Sequence, residues 1–473
     1  MKIAVIGGSA AGVFAALLLA RAGHDVLVLE RDHLDPALDV EAAAAAAFRP
    51  TAPQIVQPHT VLARCRELLQ ERLPDVYRGL LAAGVGEAPL AAQLPAALAG
   101  TAARPDDERL TRLRTRRSTF DWVLRRALLA QRGVTVCFRV RVSELLAVPG
   151  VPPHVTGVHT GQEAIGADLV VDATGRRSPI DRWLDEIGAR PAATWRAETG
   201  VTYHSRHYRP RPAAALPGPP PSGHIDVLAE FGVSIASTDN GAMQMTVTSL
   251  ATDHRFRAVR RPEVFTAVLR TMPTYAAWLD VLDPISPVYP MTTLHNTLRR
   301  LIVAGAPVVT GLHAIGDAVC ATNPTFGRGL SMALWGATDL VDTIAQYGDD
   351  WTGQALALDA LVAEHVQPYY EEQAAIDAAR LAMLRHTIAG APAPELPPAR
   401  ADRVTYGQLR AAARFDPTAF RALQSLLGML RRPDAVYADP QVVVATHAVL
   451  RERGSGPAPA QPTRAELLAA LAT

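Results

Sequence analysis

Lys2-Ile-Ala-Val-Ile-Gly7-Gly8-Ser9-Ala-Ala-Gly12 predicts a buried strand that runs into a turn of small residues. An apolar helix is predicted next, and a second strand is predicted to end at Glu30. This order is typical of a dinucleotide-binding unit. In such a unit Gly7 permits the turn, Ser9 occupies the position where the backbone approaches a pyrophosphate, and Gly12 lets the helix pack on the strand. The helix N-terminus faces the anion, and Glu30 can accept hydrogen bonds from a ribose.

The alternative for this unit is an ordinary strand–turn–helix without a ligand. Ser9 departs from the usual glycine, but serine is also small. The acid at the end of the second strand favours the dinucleotide.

Composition excludes several classes of function. The chain has 473 residues, a net charge of +1 and three cysteines. This charge does not favour a nucleic acid or an anionic membrane. The cysteine spacing fits neither a disulfide framework nor a metal site, so we expect reduced thiols and no metal. No apolar run has the length of a membrane span, and we expect a cytoplasmic protein without an integral membrane segment.

Lysine is almost absent from the chain. Lys2 is the single lysine, and the other 46 basic residues are arginine. Lys2 begins the first strand, away from the turn that follows it. We therefore expect no Schiff-base chemistry, no P-loop and no lysine nucleophile.

The rest of the chain predicts a larger α/β protein with an insert. Residues 168–175 and 312–317 each predict a strand that ends in a glycine-bearing turn, and residues 323–329 predict a further turn. Strand-like runs at 227–235, 243–250 and 287–294 predict a mainly antiparallel insert. We also expect a buried strand at 301–305, helices from Gly329 onward, linkers at 390–400 and 454–463, and a terminal helix at 464–471.

These turns together resemble the FAD-dependent monooxygenase superfamily, which includes aromatic hydroxylases, polyene epoxidases and geranylgeranyl-reductase-like enzymes. The segments at 53–62, 202–206 and 239–241 are most similar to bacterial tailoring epoxidases. The resemblance implies a Rossmann-like FAD-binding domain at 1–190 and 300–345. It implies a mainly antiparallel β-sheet substrate domain at 191–299 and a helical C-terminal region at 346–473.

The resemblance also implies a set of residues that bind FAD. Glu30 would hold the adenosine ribose, Val142 the adenine region, Arg117 the pyrophosphate or ribityl chain, and Asp317 the ribityl hydroxyls. Pro324 would lie beside the isoalloxazine, and backbone N–H groups at 327–330 would face the anion of the reduced ring. The complete set of cofactor-binding candidates is Gly7, Gly8, Ser9, Gly12, Glu30, Arg31, Arg117, Val142, Asp172, Gly175, Gly316, Asp317, Pro324, Gly327, Gly329 and Leu330.

Two residues are candidates for a catalytic role. His59 is a candidate proton donor near the flavin, although a lone histidine is more often structural. Tyr203 lies on a strand of the insert, where alternation places it on the same face as His207 and opposite His204. Asp239-Asn240-Gly241 favours a hairpin turn.

The function implied by the resemblance is the transfer of one oxygen atom from a C4a-hydroperoxyflavin to an apolar alkene or aromatic substrate. Molecular oxygen would be a co-substrate, and electrons would come from NAD(P)H directly or through a separate flavin reductase. Residues 173–175 lack the aspartate–glycine pair of aromatic hydroxylases, which leaves both routes open. The alternatives are a reductase or dehydrogenase of an isoprenoid-like substrate, a flavin halogenase and a non-catalytic flavoprotein. Resembling halogenases use an active-site lysine and a tryptophan-rich motif, which this chain lacks.

Overall fold

The computed structural model describes residues 1–33, 39–292, 295–394, 400–454 and 460–473. Its strands are β1 (Lys2–Ile6), β2 (Asp25–Glu30), β3 (Thr60–Val61), β4 (Gly86–Ala88), β5 (Arg112–Arg114), β6 (Val134–Phe138), β7 (Glu144–Val148), β8 (His154–His159), β9 (Ala164–Gly166), β10 (Leu169–Asp172), β11 (Ala193–Glu198), β12 (Val201–Pro210), β13 (His224–Val227), β14 (Phe231–Ser237), β15 (Met243–Leu250), β16 (Leu282–Pro284), β17 (Tyr289–Met291), β18 (His295–Arg300), β19 (Ile302–Val303), β20 (Ala306–Pro307), β21 (Leu312–Ala314) and β22 (Cys320–Ala321).

The α-helices follow the same chain order. They are α1 (Ala10–Arg21), α2 (Val40–Ala45), α3 (Ala63–Arg72), α4 (Pro74–Ala82), α5 (Arg117–Ala130), α6 (Ile180–Glu186), α7 (Pro262–Arg270), α8 (Pro273–Leu279), α9 (Gly329–Tyr347), α10 (Trp351–His365), α11 (Gln367–Ala389), α12 (Tyr406–Ala412), α13 (Pro417–Leu427), α14 (Pro433–Tyr437), α15 (Pro440–Arg453) and α16 (Arg464–Leu471).

A parallel sheet with the order β21-β10-β1-β2-β6 carries the first strand in its centre. Ile3 and Val5 point to one face, where they share a core with α1, α5 and α9. Ala4 and Ile6 point to the other face and pack in a second core with Trp183 of α6. Because both faces are covered, β1 is apolar along most of its length. The α/β class predicted from the sequence is confirmed.

A larger antiparallel sheet forms the insert, with the order β13-β14-β15-β12-β16 and with β17 also paired to β12. One of its faces buries Tyr208, Met245 and Val247 against α7 and α8. The antiparallel insert is therefore confirmed. The buried strand expected at 301–305 is wrong, because β19 and β20 form a small, partly exposed hairpin there. Only β17 forms within 287–294, and residues 293–294 lie outside the described residues.

Helices dominate the chain from Gly329 onward. Four of them, α12 to α15, share a core with Leu90, Leu98 and Leu110 from the loops before β5. The terminal helix expected at 464–471 is confirmed as α16, which packs under the antiparallel sheet. Residues 395–399 and 455–459 of the two expected linkers lie outside the described residues. Across the described ranges, no helix has both the length and the apolarity needed to cross a membrane.

Candidate functional site

Three glycine-bearing turns meet at one edge of the parallel sheet. A Cβ on Gly7, whose φ is +105°, would lie 2.7 Å from the carbonyl oxygen of Ala173. A Cβ on Gly316 would lie 2.8 Å from the Cβ of Ala11, and one on Gly175 would lie 3.9 Å from the Cβ of Asp317. The turns meet because β1, β10 and β21 are neighbours and parallel, so their carboxyl ends share an edge.

The first turn is packed so closely that it requires glycine. A Cβ on Gly12 would lie 1.8 Å from the carbonyl oxygen of Gly7. The Glu30 carboxylate is buried beside this turn and accepts hydrogen bonds from the N–H groups of Gly8, at 2.8 Å, and Asp32, at 2.9 Å. The acid is therefore fixed at the carboxyl end of β2, where a ribose would lie.

An unpaired arginine lies over the N-terminus of α1. Gly8, Ser9 and Arg125 line the same narrow cleft, together with Arg49. Arg49 is bound to Asp32 at 2.7 Å, whereas Arg125 makes no hydrogen bond or ion pair with any described residue. Burial lowers the pKa of Arg125, because a desolvated cation is unfavourable. The N–H groups of the helix and an unpaired guanidinium fit a pyrophosphate.

The sequence analysis missed Arg49 and Arg125. Both residues are distant in sequence from the glycine turn, and arginine is so common in this chain that neither stands out.

The third turn presents a free carboxylate at the same edge of the sheet. Asp317 makes no hydrogen bond within the described part of the chain, and its Oδ1 would lie 3.8 Å from a Cβ on Gly329. Gly327 has φ +69°, the left-handed conformation that ends the short helical turn begun by Pro324. Leu330 is buried in the main core and anchors the start of α9.

His59 and Arg117 form a pair at the start of α5. The Nδ1 of His59 donates to the carbonyl oxygen of Gln57 at 2.9 Å, so its Nε2 accepts from Nη1 of Arg117, at 3.4 Å. The Nε of Arg117 donates to Asp121 at 2.6 Å. Burial, and then the nearby Arg117, lower the pKa of His59 to about 4. His59 is therefore neutral at pH 7, and both of its ring nitrogens are engaged.

Tyr203 contacts the turn that contains Pro324. Its hydroxyl donates to the side-chain oxygen of Asn323 and lies 2.6 Å from the hydroxyl of Thr325. Asn323 in turn donates to Asp377 of α11 at 2.9 Å. Asp377 is fully buried, and burial raises its pKa. This network joins the insert and the C-terminal helices to the turn, and the sequence analysis did not find the contribution of α11.

The remaining candidates lie close to the same edge but face it differently. Asp172 is buried and accepts from Thr174 and Ser178, so its carboxylate orders its own turn instead of facing a ligand. This corrects the expectation that Asp172 contacts the cofactor. Arg31 is exposed after β2, and Val142 is buried in the core on the other face of the parallel sheet.

The face of the antiparallel sheet that meets these turns carries mostly polar side chains. Tyr203 and His207 share this face, as alternation predicts, and His207 donates to the carbonyl oxygen of Val56 at 3.0 Å. Ser205, Gln244 and Thr246 are buried on the same face. Val201 and Leu250 add apolar surface at one end of this face, whereas the other apolar residues of β15 and Tyr208 of β12 point to the opposite core.

Asp239 combines a turn with a long-range contact. Residues 239–241 join β14 to β15, which confirms the predicted hairpin turn. The buried Asp239 carboxylate also accepts from Nη2 of Arg116 at 2.7 Å and from the hydroxyl of Thr119 at 2.6 Å. The insert is thereby fixed to the first turn of α5.

No group of three or more His, Cys, Asp or Glu residues suited to a metal ion occurs within the described ranges.

Comparison with known proteins relates this fold to those of flavin-dependent enzymes. No protein-family model matches the chain. Protein Rv3254 of Mycobacterium tuberculosis is 28% identical over 352 residues, and the match covers 69% of each chain. The structure of the flavin-dependent brominase Bmp2 has a TM-score of 0.62 at 15% identity, over 96% of this chain and 99% of that one. PqsL of Pseudomonas aeruginosa, a probable FAD-dependent monooxygenase, has a TM-score of 0.57 at 15% identity, over 82% and 98%. The chain thus has the fold of flavin-dependent monooxygenases and halogenases, as the resemblance implied.

Proposed function

We propose that this chain is an FAD-dependent monooxygenase that adds one atom of molecular oxygen to an alkene or an aromatic ring. The observation that carries the proposal is the meeting of three strand-end turns at one sheet edge. This edge offers an anion site at α1, a fixed acid at Glu30 and a free carboxylate at Asp317. That spacing of groups suits a cofactor with a pyrophosphate between two polyol chains.

Bound FAD would supply the redox chemistry and the reaction with oxygen. The protein would hold it at both ends. The first N–H groups of α1 and Arg125 would bind the pyrophosphate, and Glu30 would accept from the ribose. Asp317 would accept from the ribityl hydroxyls, and the N–H groups at 327–330 would stabilise negative charge on the reduced ring.

His59 would act here by positioning Arg117. Its Nε2 accepts from Nη1 of Arg117 and its Nδ1–H is bound to a backbone carbonyl, so neither nitrogen is free to donate a proton. Asp121 fixes Nε of the same guanidinium, which leaves Nη2 for the cofactor. Tyr203 would likewise fix the turn at Pro324 through Asn323.

Two other flavin-dependent activities share this fold. Lys2 lies at the amino end of β1, whereas the turns lie at the carboxyl ends of the strands. The chain therefore offers no lysine near the site for halogenation. A reductase or dehydrogenase would use the same cofactor contacts and differs in its product. Product mass decides among the three, because only a monooxygenase adds one oxygen atom, whereas a halogenase adds a halogen and a reductase adds neither.

The cofactor assignment is tested by titration of the full chain with FAD. Asp317→Asn removes a charged acceptor, and we expect FAD affinity to fall about tenfold, the effect of losing a charged hydrogen bond. The exposed Asp349 gives the matched control, and Asp349→Asn should bind FAD like the wild type. Failure of the wild-type chain to bind FAD would overturn the proposal. Adding NADPH, with and without a flavin reductase, would then identify the electron donor.

A further inference from the structure

Arg112 lies on a small sheet that borders the proposed cofactor site. Its strand, β5, is the middle strand between β3 and β4. Leu113 points into the main core, so Arg112 and Arg114 share the opposite face. The register places Gly86 and Ala88 beside them on β4. Because these neighbours are small, they leave room around both guanidinium groups.

This face lies between the antiparallel sheet and the turn at Gly327. Nη1 of Arg114 donates to the hydroxyl of Ser237, at the end of β14, at 3.1 Å. Thr60 is paired with Arg114, and its carbonyl oxygen would lie 3.5 Å from a Cβ on Gly327. The small sheet that carries Arg112 therefore borders both the antiparallel sheet and the turn at Gly327, beside which the flavin would be bound.

The neighbouring arginines all have partners. Arg114 binds Ser237, Arg116 binds Asp239 and Arg117 binds Asp121. Arg112 makes no hydrogen bond or ion pair with any residue that the structure describes. The Nε atoms of Arg112 and Arg114 are both buried without a partner, but Arg114 keeps its bond to Ser237 through Nη1. The contrast along one short segment marks Arg112 as the residue whose partner is not part of the protein.

Arg112 is half-buried as a whole, and its Nε is fully buried. Burial alone lowers the pKa of Arg112 to about 10, with no neighbouring acid to offset it. The guanidinium is thus still charged at pH 7. A partly buried charge without a partner is unfavourable, and an anion bound to the Arg112 guanidinium would offset that cost.

We propose that Arg112 binds an anionic oxygen of the substrate, either a carboxylate or an ionised phenol or enol. A guanidinium can bind such a group through two parallel N–H donors, which fixes orientation as well as position. The proposal rests on the proposed function, because it assigns the substrate class of that site. It amends the expectation of a purely apolar substrate.

The test measures binding of small anions by calorimetry to the full, FAD-loaded chain. The probes are benzoate and 4-nitrophenolate, each compared with its neutral counterpart, benzamide or 4-nitroanisole. The wild type should prefer at least one anion over its neutral counterpart by about tenfold or more, and Arg112→Gln should remove that preference. Arg112→Lys keeps the charge but lacks the two parallel N–H donors, so it should retain part of the preference for the anion. The exposed Arg126 provides the control variant, Arg126→Gln, which should behave like the wild type.

Thermal stability separates this role from a structural one. Because Arg112 has no partner in the protein, Arg112→Gln should keep or raise the melting temperature and should bind FAD as the wild type does. Equal binding of both anions and their neutral counterparts, a preference that survives in Arg112→Gln, or unfolding of that variant would each overturn the proposal. Failure to bind FAD would instead overturn the proposed function, and the anion preference would still be measurable on the chain without cofactor.

Discussion

Removing the charge of Arg125 should weaken FAD binding and leave riboflavin binding unchanged. Arg125 lies beside Gly8 and Ser9 at the N-terminus of α1 and has no partner of its own. Two acids lie near Arg125, and both have other partners: Asp121 is bound by Arg117 at 2.6 Å, and Glu30 accepts from the N–H groups of Gly8 and Asp32. A pyrophosphate would therefore be the first anion to engage the Arg125 guanidinium, which is charged at neutral pH.

The size of the effect follows from this geometry. A hydrogen bond to a charged group contributes about 1.5–3 kcal/mol, so Arg125→Gln should weaken FAD binding by about 10- to 150-fold. Fluorescence titration measures this, with riboflavin as the ligand that lacks the pyrophosphate. The adjacent Arg126 is exposed and stacks on Trp122, so Arg126→Gln is the matched control. Unchanged FAD affinity in Arg125→Gln, or an equal loss for riboflavin, would refute the assignment.

Three further predictions concern stability. Gly12→Ala should lower the free energy of unfolding in urea by about 3 kcal/mol, because the new Cβ overlaps a backbone oxygen. Gly336→Ala in α9, where the space around the glycine is open, should raise it by about 0.5–1 kcal/mol. Equal effects of the two substitutions would contradict the close packing at Gly12. Burial lowers the pKa of His313 from 6.5 to about 4. The neutral His313 therefore contributes its full share to the free energy of unfolding above pH 6.5, and this share is lost as the pH falls towards 4. The wild type should lose about 2 kcal/mol of unfolding free energy between pH 7 and 5 through this group, and His313→Gln should not show that loss. An identical pH profile for the two proteins would count against this prediction. Asp377→Asn should lower both the melting temperature and FAD affinity, because an amide N–H group of the new side chain would face the donor on Asn323. An unchanged variant would show that the hydrogen bonds of Asp377 do not hold the turn at Pro324.

The sequence predicted the parts of the site that depend on local backbone geometry. The turn at Gly7, the acid at Glu30 and the hairpin at Asp239 each occupy a few consecutive residues whose conformation follows from residue type. The packing of the three turns against one another then followed from the parallel order of their strands.

Long-range partners could not be predicted in the same way. Asp239 lies 123 positions from Arg116 in the chain, and no local pattern indicates that the two are in contact. For Asp172 the local pattern was misleading. Its position at the end of a strand suggested contact with a ligand, but its carboxylate accepts hydrogen bonds from Thr174 and Ser178 of its own turn. Arg112 was not predicted, because it lies in a run of arginines that the sequence does not distinguish from one another. Only the structure shows that the other members of the run have partners.

We propose that this chain binds FAD and uses the reduced cofactor for oxygenation. The most direct measurement is rapid mixing of the reduced, FAD-loaded chain with oxygenated buffer, followed by the flavin spectrum. We expect a transient species, distinct from reduced and oxidised flavin, that forms before oxidised flavin returns. Direct return to oxidised flavin, with and without anionic aromatic compounds, would contradict oxygenation and favour a reductase or dehydrogenase.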